Sequence, residues 1–259
     1  MNDLGEFLKA RRALLRPEDV GLAAIGRRRV AGLRRDELAR LAGVSEQYLV
    51  RLEQGRDRNP SPQVLGALAV ALRLDEGTAA HLHALAAGPA PSTVDEALAP
   101  GVQELLDAWT GVPAYVRNRR LDVLAGNALA VALSPMYEPG RNLLREMFLE
   151  PRVRALLPDW DDLAAGAVAA LRAGADPHDP AVAALVDEVA AGSATFRRLW
   201  DRHDARPTGQ DVKRFAHPAV GELTLRRQAL EVAGTGQLVV AYQADPGTPS
   251  AFRLAQLMR

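Results

Sequence analysis

A tight glycine turn between two short helical patterns constrains the fold of this chain more than any other feature. In the first pattern, Leu38 and Leu41 lie three residues apart with Ala42 beside them, which makes one narrow apolar face. Ala39 is small where a second helix must approach closely. Gly43 follows, at a position where a positive φ is tolerated without strain only by glycine. These residues predict a helix that ends at a sharp turn.

The second pattern begins directly after this turn. Ser45 is a favourable N-cap, Leu49 and Leu52 face inward, and Gly55 ends the pattern. Two short helices joined in this way, the second one capped by serine, form a unit that reads double-stranded DNA. Plain packing in a helical bundle is the alternative, and it does not require the glycines and the serine together.

The exposed positions of the second helix predict which side chains read bases. The N-terminal turn of such a helix points into the major groove, so Glu46, Gln47 and, one turn later, Arg51 can reach base edges. Glutamine pairs with adenine, arginine pairs with guanine, and glutamate accepts from the amino group of cytosine. We therefore expect these three side chains to determine sequence preference.

Arginines at both ends of the helix pair predict contacts with the DNA backbone. Arg34 and Arg35 combine positive charge with the free N–H groups at a helix start, which suits a phosphate. Arg56 and Arg58 follow the second helix and can hold the backbone on its other side. The run at residues 27–29 either enters a minor groove or forms a solvated loop, and the sequence leaves both interpretations open.

The charge distribution agrees with a DNA-binding segment near the N-terminus. Residues 27–58 hold 9 Arg against 5 Asp and Glu, a net charge of +4. Residues 88–259 hold 18 Lys and Arg against 21 Asp and Glu, a net charge of −3. The asymmetry indicates that only the first part of the chain meets a polyanion.

Composition excludes several classes of protein. A length of 259 residues with 48% hydrophobic and 25% charged residues is typical of two folded domains. The absence of cysteine excludes a disulfide scaffold and a thiolate metal site. Without a membrane-length apolar stretch or a secretory signal, we expect a cytoplasmic protein with no membrane partner. Without a phosphate loop, nucleophile elbow or metal-ligand cluster, we expect no enzyme, no metal and no cofactor.

The N-terminal domain is predicted to be an all-α bundle over residues 1–88. An apolar repeat at Leu4, Phe7 and Leu8 predicts the first helix, a stripe over residues 64–72 predicts the fourth, and Asp75 is placed to cap the fifth. A segment rich in proline and glycine follows, and we assign residues 89–100 as a linker.

Residues 101–259 predict a single α+β domain. Short apolar segments at 115–117 and 121–124 flank a charged turn and indicate a hairpin. Helical patterns dominate from 128 to 204. Alternating patterns then predict four strands, at 212–216, 221–226, 228–232 and 238–243, and a final helix over 250–258.

The run LRRDELARLAGVSEQYLVRLEQGR resembles the Xre/Cro-type helix-turn-helix of bacterial regulators. The resemblance covers both helices. It places Glu46, Gln47 and Arg51 on base-reading sites and Glu53 on an acid that braces the helix pair. It implies phosphate contacts from a further set: Arg34, Arg35, Gln54, Arg56 and Arg58. Arg35 stands where many relatives have glutamine.

Stretches of the second half resemble the ligand-binding domain of MmyB-type regulators, a PAS-like sensor fold. They are VRNRRLDVLAGNALA, GRNLLREMFLEPRVRALLPDW, SATFRRLWDRHD, RFAHPAVGELTL and ADPGTPSA. Relatives often carry tryptophan where this chain has Gly126, and we expect the missing indole to enlarge or relax the nearby pocket.

This second resemblance implies a small hydrophobic ligand, with a fatty acid or acyl chain as the best-supported class. Large apolar side chains near the predicted helix–sheet junction are the pocket candidates, and plain core packing is the alternative for each: Phe148, Phe196, Leu199, Trp200, Phe215 and Leu225. For His203 and His217 a structural hydrogen bond is favoured over a haem or metal ligand, because neither has a second ligand at suitable spacing.

Two functional hypotheses follow. In the first, the chain binds a pseudo-palindromic DNA operator as a homodimer, and a small hydrophobic ligand in the second domain shifts its DNA affinity. In the second, the second domain binds no ligand and serves dimerisation or contact with RNA polymerase.

Overall fold

The computed structural model describes residues 3–22, 30, 32–57, 59–87, 97–202 and 212–258. Its N-terminal part is helical. The helices are α1 (Asp3–Leu14), α2 (Arg35–Leu41), α3 (Glu46–Glu53), α4 (Pro62–Ala71) and α5 (Glu76–Ala87), with a 3-10 turn at Pro17–Val20.

These helices share one core whose members match the predicted apolar stripes. Leu4, Phe7 and Leu8 of α1 are buried in this core, where α1 packs against α3 and α5. Asp75 caps α5 through the amide of Thr78, as predicted. The prediction that Leu41 belongs with Leu38 to the packed apolar face was wrong: Leu41, the last residue of α2, is 36% exposed, whereas Leu38 is fully buried.

The C-terminal part is an α+β domain. Its helices are α6 (Val102–Ala108), α7 (Ala128–Leu133), α8 (Leu143–Leu149), α9 (Pro151–Leu156), α10 (Trp160–Gly174), α11 (Pro180–Gly192), α12 (Ala194–Asp201) and α13 (Pro249–Gln256), with a 3-10 helix at Pro135–Tyr137. Its strands are β1 (Ala114–Arg117), β2 (Val123–Gly126), β3 (Val212–His217), β4 (Gly221–Val232) and β5 (Gln237–Gln243).

The five strands form one antiparallel sheet in the order β2-β1-β5-β4-β3. The predicted hairpin is present as β1 and β2. The prediction of two strands over 221–232 was wrong, because β4 runs through Arg227 and pairs with β5 up to Val232. Neither glycine nor proline interrupts this stretch, so the chain has no local reason to turn there.

The sheet has a core on each face. Its inner face packs against helices α7 to α12, and the residues at this contact form the larger of the two cores. Its outer face is covered near β1 and β5 by α6, through Val102 and Leu106. The predicted fold class, an all-α bundle followed by an α+β domain, is confirmed.

Contacts between described residues join the halves of the molecule. Helix α10 packs against α5. In addition, the guanidinium of Arg11 in α1 donates to the carbonyl of Arg202, just beyond α12, at 3.4 Å. Within the described ranges, no helix combines the length and apolarity needed to cross a membrane.

Candidate functional site

The turn between α2 and α3 has the predicted local geometry. Gly43 adopts φ +65°, and Ser45 caps α3 by accepting from the amide of Tyr48 at 3.2 Å. Leu49 and Leu52 are fully buried, and Ala39 is 2% exposed where α2 and α3 approach. This packing fixes α3 on the bundle and leaves its other face in solvent.

Glu53 of α3 joins this helix to α1 and to α2 through ion pairs. Its carboxylate is fully buried and accepts from Arg12 of α1 at 2.8 Å and from Arg35 of α2 at 2.7 Å. Arg12 also donates to the carbonyl of Leu33 at 2.8 Å. A carboxylate held by two guanidinium groups is satisfied in the interior, so Glu53 acts as a structural brace.

The three base-reading candidates lie together on the exposed face of α3. Glu46 and Gln47 form its first turn, and both are exposed. Arg51 is one turn further along, and its Nε donates to Asp57 at 2.8 Å. Its guanidinium also lies 5.5 Å from the ring of Tyr48. Arg51 is therefore oriented by neighbouring side chains in the free protein.

The phosphate candidates surround that face. Arg34 is exposed at the N-cap position of α2, where its amide donates to Glu37 at 2.7 Å. Arg35 is half-exposed while bound to Glu53. Gln54 and Arg56 are exposed just after α3. Arg58 and the arginine run at 27–29 lie outside the described residues.

The six pocket candidates fall into two groups on either side of the main core. In the helical layer, Phe148 meets Phe196 edge to face with ring centroids 5.1 Å apart, and Phe196 stacks on Trp200 at 5.7 Å. Leu199 packs beside the same core. Phe215 and Leu225 are fully buried on the inner face of the sheet. All six residues belong to one core, but Phe215 and Leu225 lie in the sheet layer, whereas the other four lie in the helical layer.

A groove of about 550 Å³ lies elsewhere, between the middle of β4, the end of β5 and helix α13. Its lining includes Arg226, Gln243 and Met258, and none of the six candidates.

The expectation for Gly126 was wrong. A Cβ at this position would lie 2.7 Å from the carbonyl oxygen of Tyr137. The backbone of the 3-10 helix at 135–137 therefore occupies the space that a side chain would take. Glycine here allows that backbone to approach β2, and the approach stacks Tyr137 on Tyr115 of the adjacent strand at 4.3 Å.

His217 has the structural role that was favoured for it. Its Nε2 lies 3.0 Å from the carbonyl of Ala132, and its Nδ1 accepts from the amide of Ala219 at the turn after β3. His203 lies outside the described residues. Among the residues that the structure describes, no group of histidine and acidic side chains has the arrangement of a metal site.

Sequence reasoning missed a polar cluster inside the main core. The ammonium of Lys213 donates to the hydroxyl of Tyr137 at 3.1 Å, and that hydroxyl bonds to the hydroxyl of Tyr242 at 3.0 Å. Burial, with a smaller contribution from Arg227, lowers the pKa of Lys213 to about 7. With Tyr115, the cluster uses three of the four tyrosines of the chain, and Lys213 lies on the same buried face of β3 as Phe215, two residues along the strand.

Two family matches agree with this architecture. Residues 3–82 match the family described as a helix-turn-helix domain. Residues 98–257, more than half of the chain, match the family described as the MmyB-like transcription regulator ligand binding domain. A search of curated proteins returns no match. The N-terminal bundle is thus a DNA-binding module attached to a ligand-binding domain, and the chain belongs to the family of MmyB-like transcription regulators.

Proposed function

We propose that α3 enters the major groove and that Glu46, Gln47 and Arg51 read base edges. The observation that carries this assignment is their joint exposure on a helix whose opposite face is locked into the bundle by Leu49 and Leu52. In the complex, Arg51 exchanges its contact with Asp57 for a base.

The surrounding polar side chains position the protein on the DNA backbone. Arg34 and Arg35 contact phosphates before the reading helix, and Arg35 does so with the guanidinium N–H groups that Glu53 does not engage. Gln54, Arg56 and Arg58 contact the backbone beyond it. These contacts supply affinity and salt dependence and no base preference.

The C-terminal domain, residues 101–259, binds a small hydrophobic ligand of the fatty-acid class, and residues 89–100 link it to the DNA-binding domain at 1–88. Support comes from the family match and from the apolar layer around Phe196 and Phe215. The ligand tunes transcription if it binds the DNA-competent and incompetent states with different affinity.

The protein acts in the cytoplasm. It binds a pseudo-palindromic operator as a homodimer, because a single helix-turn-helix domain buries little surface on DNA.

The second candidate assigns the C-terminal domain to dimerisation or to contact with RNA polymerase. The exposed apolar side chains of Leu230 and Phe252, 54% and 68% exposed, favour this role for the outer part of the domain. Native mass spectrometry of freshly purified protein separates the candidates: a co-purifying small molecule supports the sensor, and a ligand-free dimer supports the alternative.

An unbiased selection of DNA sequences tests the DNA-binding assignment. Wild-type protein should enrich one sequence, while Gln47→Ala and Arg51→Ala should lose preference at one or two positions and keep non-specific binding. Arg34→Ala is the matched control. It should weaken binding to all sequences and reduce the dependence of affinity on salt. Equal enrichment by all four proteins would refute the assignment.

A further inference from the structure

The groove beside α13 lies on the outer face of the sheet. Arg226 of β4 pairs in register with Gln243 of β5, and Gln228 follows two residues along β4 on the same face. Tyr242, the neighbour of Gln243, belongs instead to the main core on the inner face. With a volume of about 550 Å³, the groove has the size of a small-molecule site. It is separate from the interior of the domain.

Helix α13 and the turn after it form the apolar wall of this groove. The residues that line it from this side recur at the spacing of one helix face: Ala251, Leu254, Ala255 and Met258. Leu254 is 5% exposed at the bottom of the wall, and Met258 is 51% exposed at its end. Because alanine is small, the wall leaves room beside β4 for an apolar group.

This wall is fixed to the sheet by hydrogen bonds. The amide of Thr224 in β4 donates to the hydroxyl of Ser250 in α13 at 2.9 Å. The guanidinium of Arg253 in α13 donates to the carbonyl of Glu222 at 2.6 Å. The two sides of the groove are therefore held together without a ligand, as is usual for a preformed binding site.

One side of the groove carries a pair of opposite charges. Arg226 donates through Nε to Oδ1 of Asp245 at 2.6 Å, and through Nη2 to the same oxygen. No described residue bonds to the second oxygen of Asp245 or to Nη1 of Arg226. Both side chains are more than half exposed, and such a pair contributes little to stability. A ligand can therefore engage both charges at small cost.

Two side-chain amides stand beside the charged pair. Gln228 and Gln243 are both exposed, and neither side chain forms a hydrogen bond to another described residue. Each amide offers a donor and an acceptor. The polar side of the groove thus presents one cation, one anion and two neutral groups across from an apolar wall.

This arrangement of charges selects for ligands with two opposite charges close together. An anion that bonds to Arg226 lies beside the carboxylate of Asp245, and a cation that bonds to Asp245 lies beside the guanidinium of Arg226. Either ligand leaves one charge facing its like. In an α-amino acid the ammonium and the carboxylate are attached to one carbon atom, so both charges of the pair find an opposite partner.

We propose that the groove binds an α-amino acid with an apolar side chain. Its carboxylate bonds to Arg226, its ammonium bonds to the free oxygen of Asp245, and its side chain lies against Leu254 and Met258. The proposal goes beyond the proposed function, because it concerns a second site on the opposite face of the sheet and a ligand of a different class.

Isothermal titration of the full chain at pH 7 with three related compounds tests this assignment. The compounds are L-phenylalanine, 3-phenylpropionate, which lacks the ammonium group, and 2-phenylethylamine, which lacks the carboxylate. L-Phenylalanine should bind most tightly, and each of the others should bind about tenfold more weakly. All three carry the same ring, so the difference measures the recognition of the paired charges.

Variants of the charged pair give a second readout. Asp245→Asn should weaken L-phenylalanine about tenfold and bind 3-phenylpropionate within about twofold of it. Arg226→Gln should do the same for 2-phenylethylamine. Such levelling of two affinities is a result that a folding defect does not produce. Arg214→Gln is the matched control, because Arg214 on the adjacent strand has equal exposure and its own exposed partner, Asp159. It should bind all three compounds as wild type does.

The position of the ligand is tested by filling the groove. Ala255→Trp, at an exposed position on the apolar wall, should abolish binding of L-phenylalanine. The assignment is overturned if L-phenylalanine does not bind the wild-type chain, or if it binds no more tightly than the two compounds with a single charge. Unchanged binding in Ala255→Trp would also overturn it. None of these results bears on the binding of DNA or of a hydrophobic ligand in the core.

Discussion

At the scale of single residues, Glu53 shows how one buried charge organises a DNA-binding module. It joins α3 to α1 through Arg12 and to α2 through Arg35. These two ion pairs, together with the buried Leu49 and Leu52, fix the exposed face of α3 relative to the bundle.

Replacing Glu53 by alanine should lower the free energy of unfolding by about 3–5 kcal/mol, because Arg12 is then left largely buried without its anion. Urea unfolding followed by circular dichroism measures the change. Glu6→Ala, which removes the exposed pair with Lys9, is the control and should cost less than about 1 kcal/mol. Equal losses for the two variants would contradict the bracing role.

Alanine substitutions at Gly126 and Gly66 should change the stability of the chain in opposite directions, although each adds one methyl group. Gly126→Ala should destabilise the chain by about 1–3 kcal/mol, because its Cβ meets the backbone of Tyr137. Gly66→Ala, inside α4 with open space around its Cβ, should stabilise by about 0.5–1 kcal/mol. Thermal unfolding distinguishes the signs, and a neutral Gly126→Ala would show that the 3-10 helix is not fixed against β2.

Lys213 should make stability depend on pH in a defined direction. Its pKa falls from 10.5 to about 7 on folding, so the unfolded chain binds more protons between those values. Its contribution to the free energy of unfolding therefore rises with pH across that window, and its cost is greatest below pH 7.

Lys213→Met should thus raise the free energy of unfolding at pH 6 by more than about 1 kcal/mol, with a gain that shrinks toward pH 10. Denaturation at several pH values, with Lys9→Met beside it, measures this. A gain that does not vary with pH would show that Lys213 keeps one protonation state throughout.

At the scale of elements, α10 connects the two functional halves. It packs against α5 of the DNA-binding bundle and against α12 of the ligand-binding domain. Arg172 of α10 lies 3.8 Å from the ring centre of Trp200 and donates to its carbonyl at 2.6 Å. Helix α10 is therefore in contact both with the residues around Trp200 and with α5.

Arg172→Met should reduce a ligand-dependent shift in DNA affinity to less than about twofold while DNA affinity without ligand stays as in wild type. Arg145→Met is the matched control, because it removes an exposed ion pair with Glu188 on the far helices α8 and α11. Fluorescence anisotropy with and without ligand measures both. A full shift in Arg172→Met would exclude this route.

The elements themselves were largely predictable, and the interior cluster was not. Local patterns predict the helix pair, because Gly43 and Ser45 each satisfy a local backbone requirement. They fail at Leu41, because tertiary packing decides whether the end of a helix is buried. They also fail at Gly126, because Tyr137, whose backbone lies against it, is 11 residues away in the chain. Lys213, Tyr137 and Tyr242 come from distant parts of the chain, and only the fold brings their polar atoms together.

At the scale of the whole molecule, the two halves differ in charge and in chemistry. The basic segment carries the exposed face of α3, and the larger remainder encloses the main core, with Lys213 in its interior. The family matches identify the first half as a helix-turn-helix domain and the second half as a ligand-binding domain. Helices α5 and α10 form a contact between the two halves.

The most direct test of this account is the affinity of the full chain for its selected operator, measured by fluorescence anisotropy at moderate salt with and without saturating decanoate. Decanoate, a probe of the proposed fatty-acid ligand class, should change the affinity by about fivefold or more. Equal affinity for operator and random DNA, or an operator affinity that decanoate leaves unchanged in the wild-type chain, would contradict it.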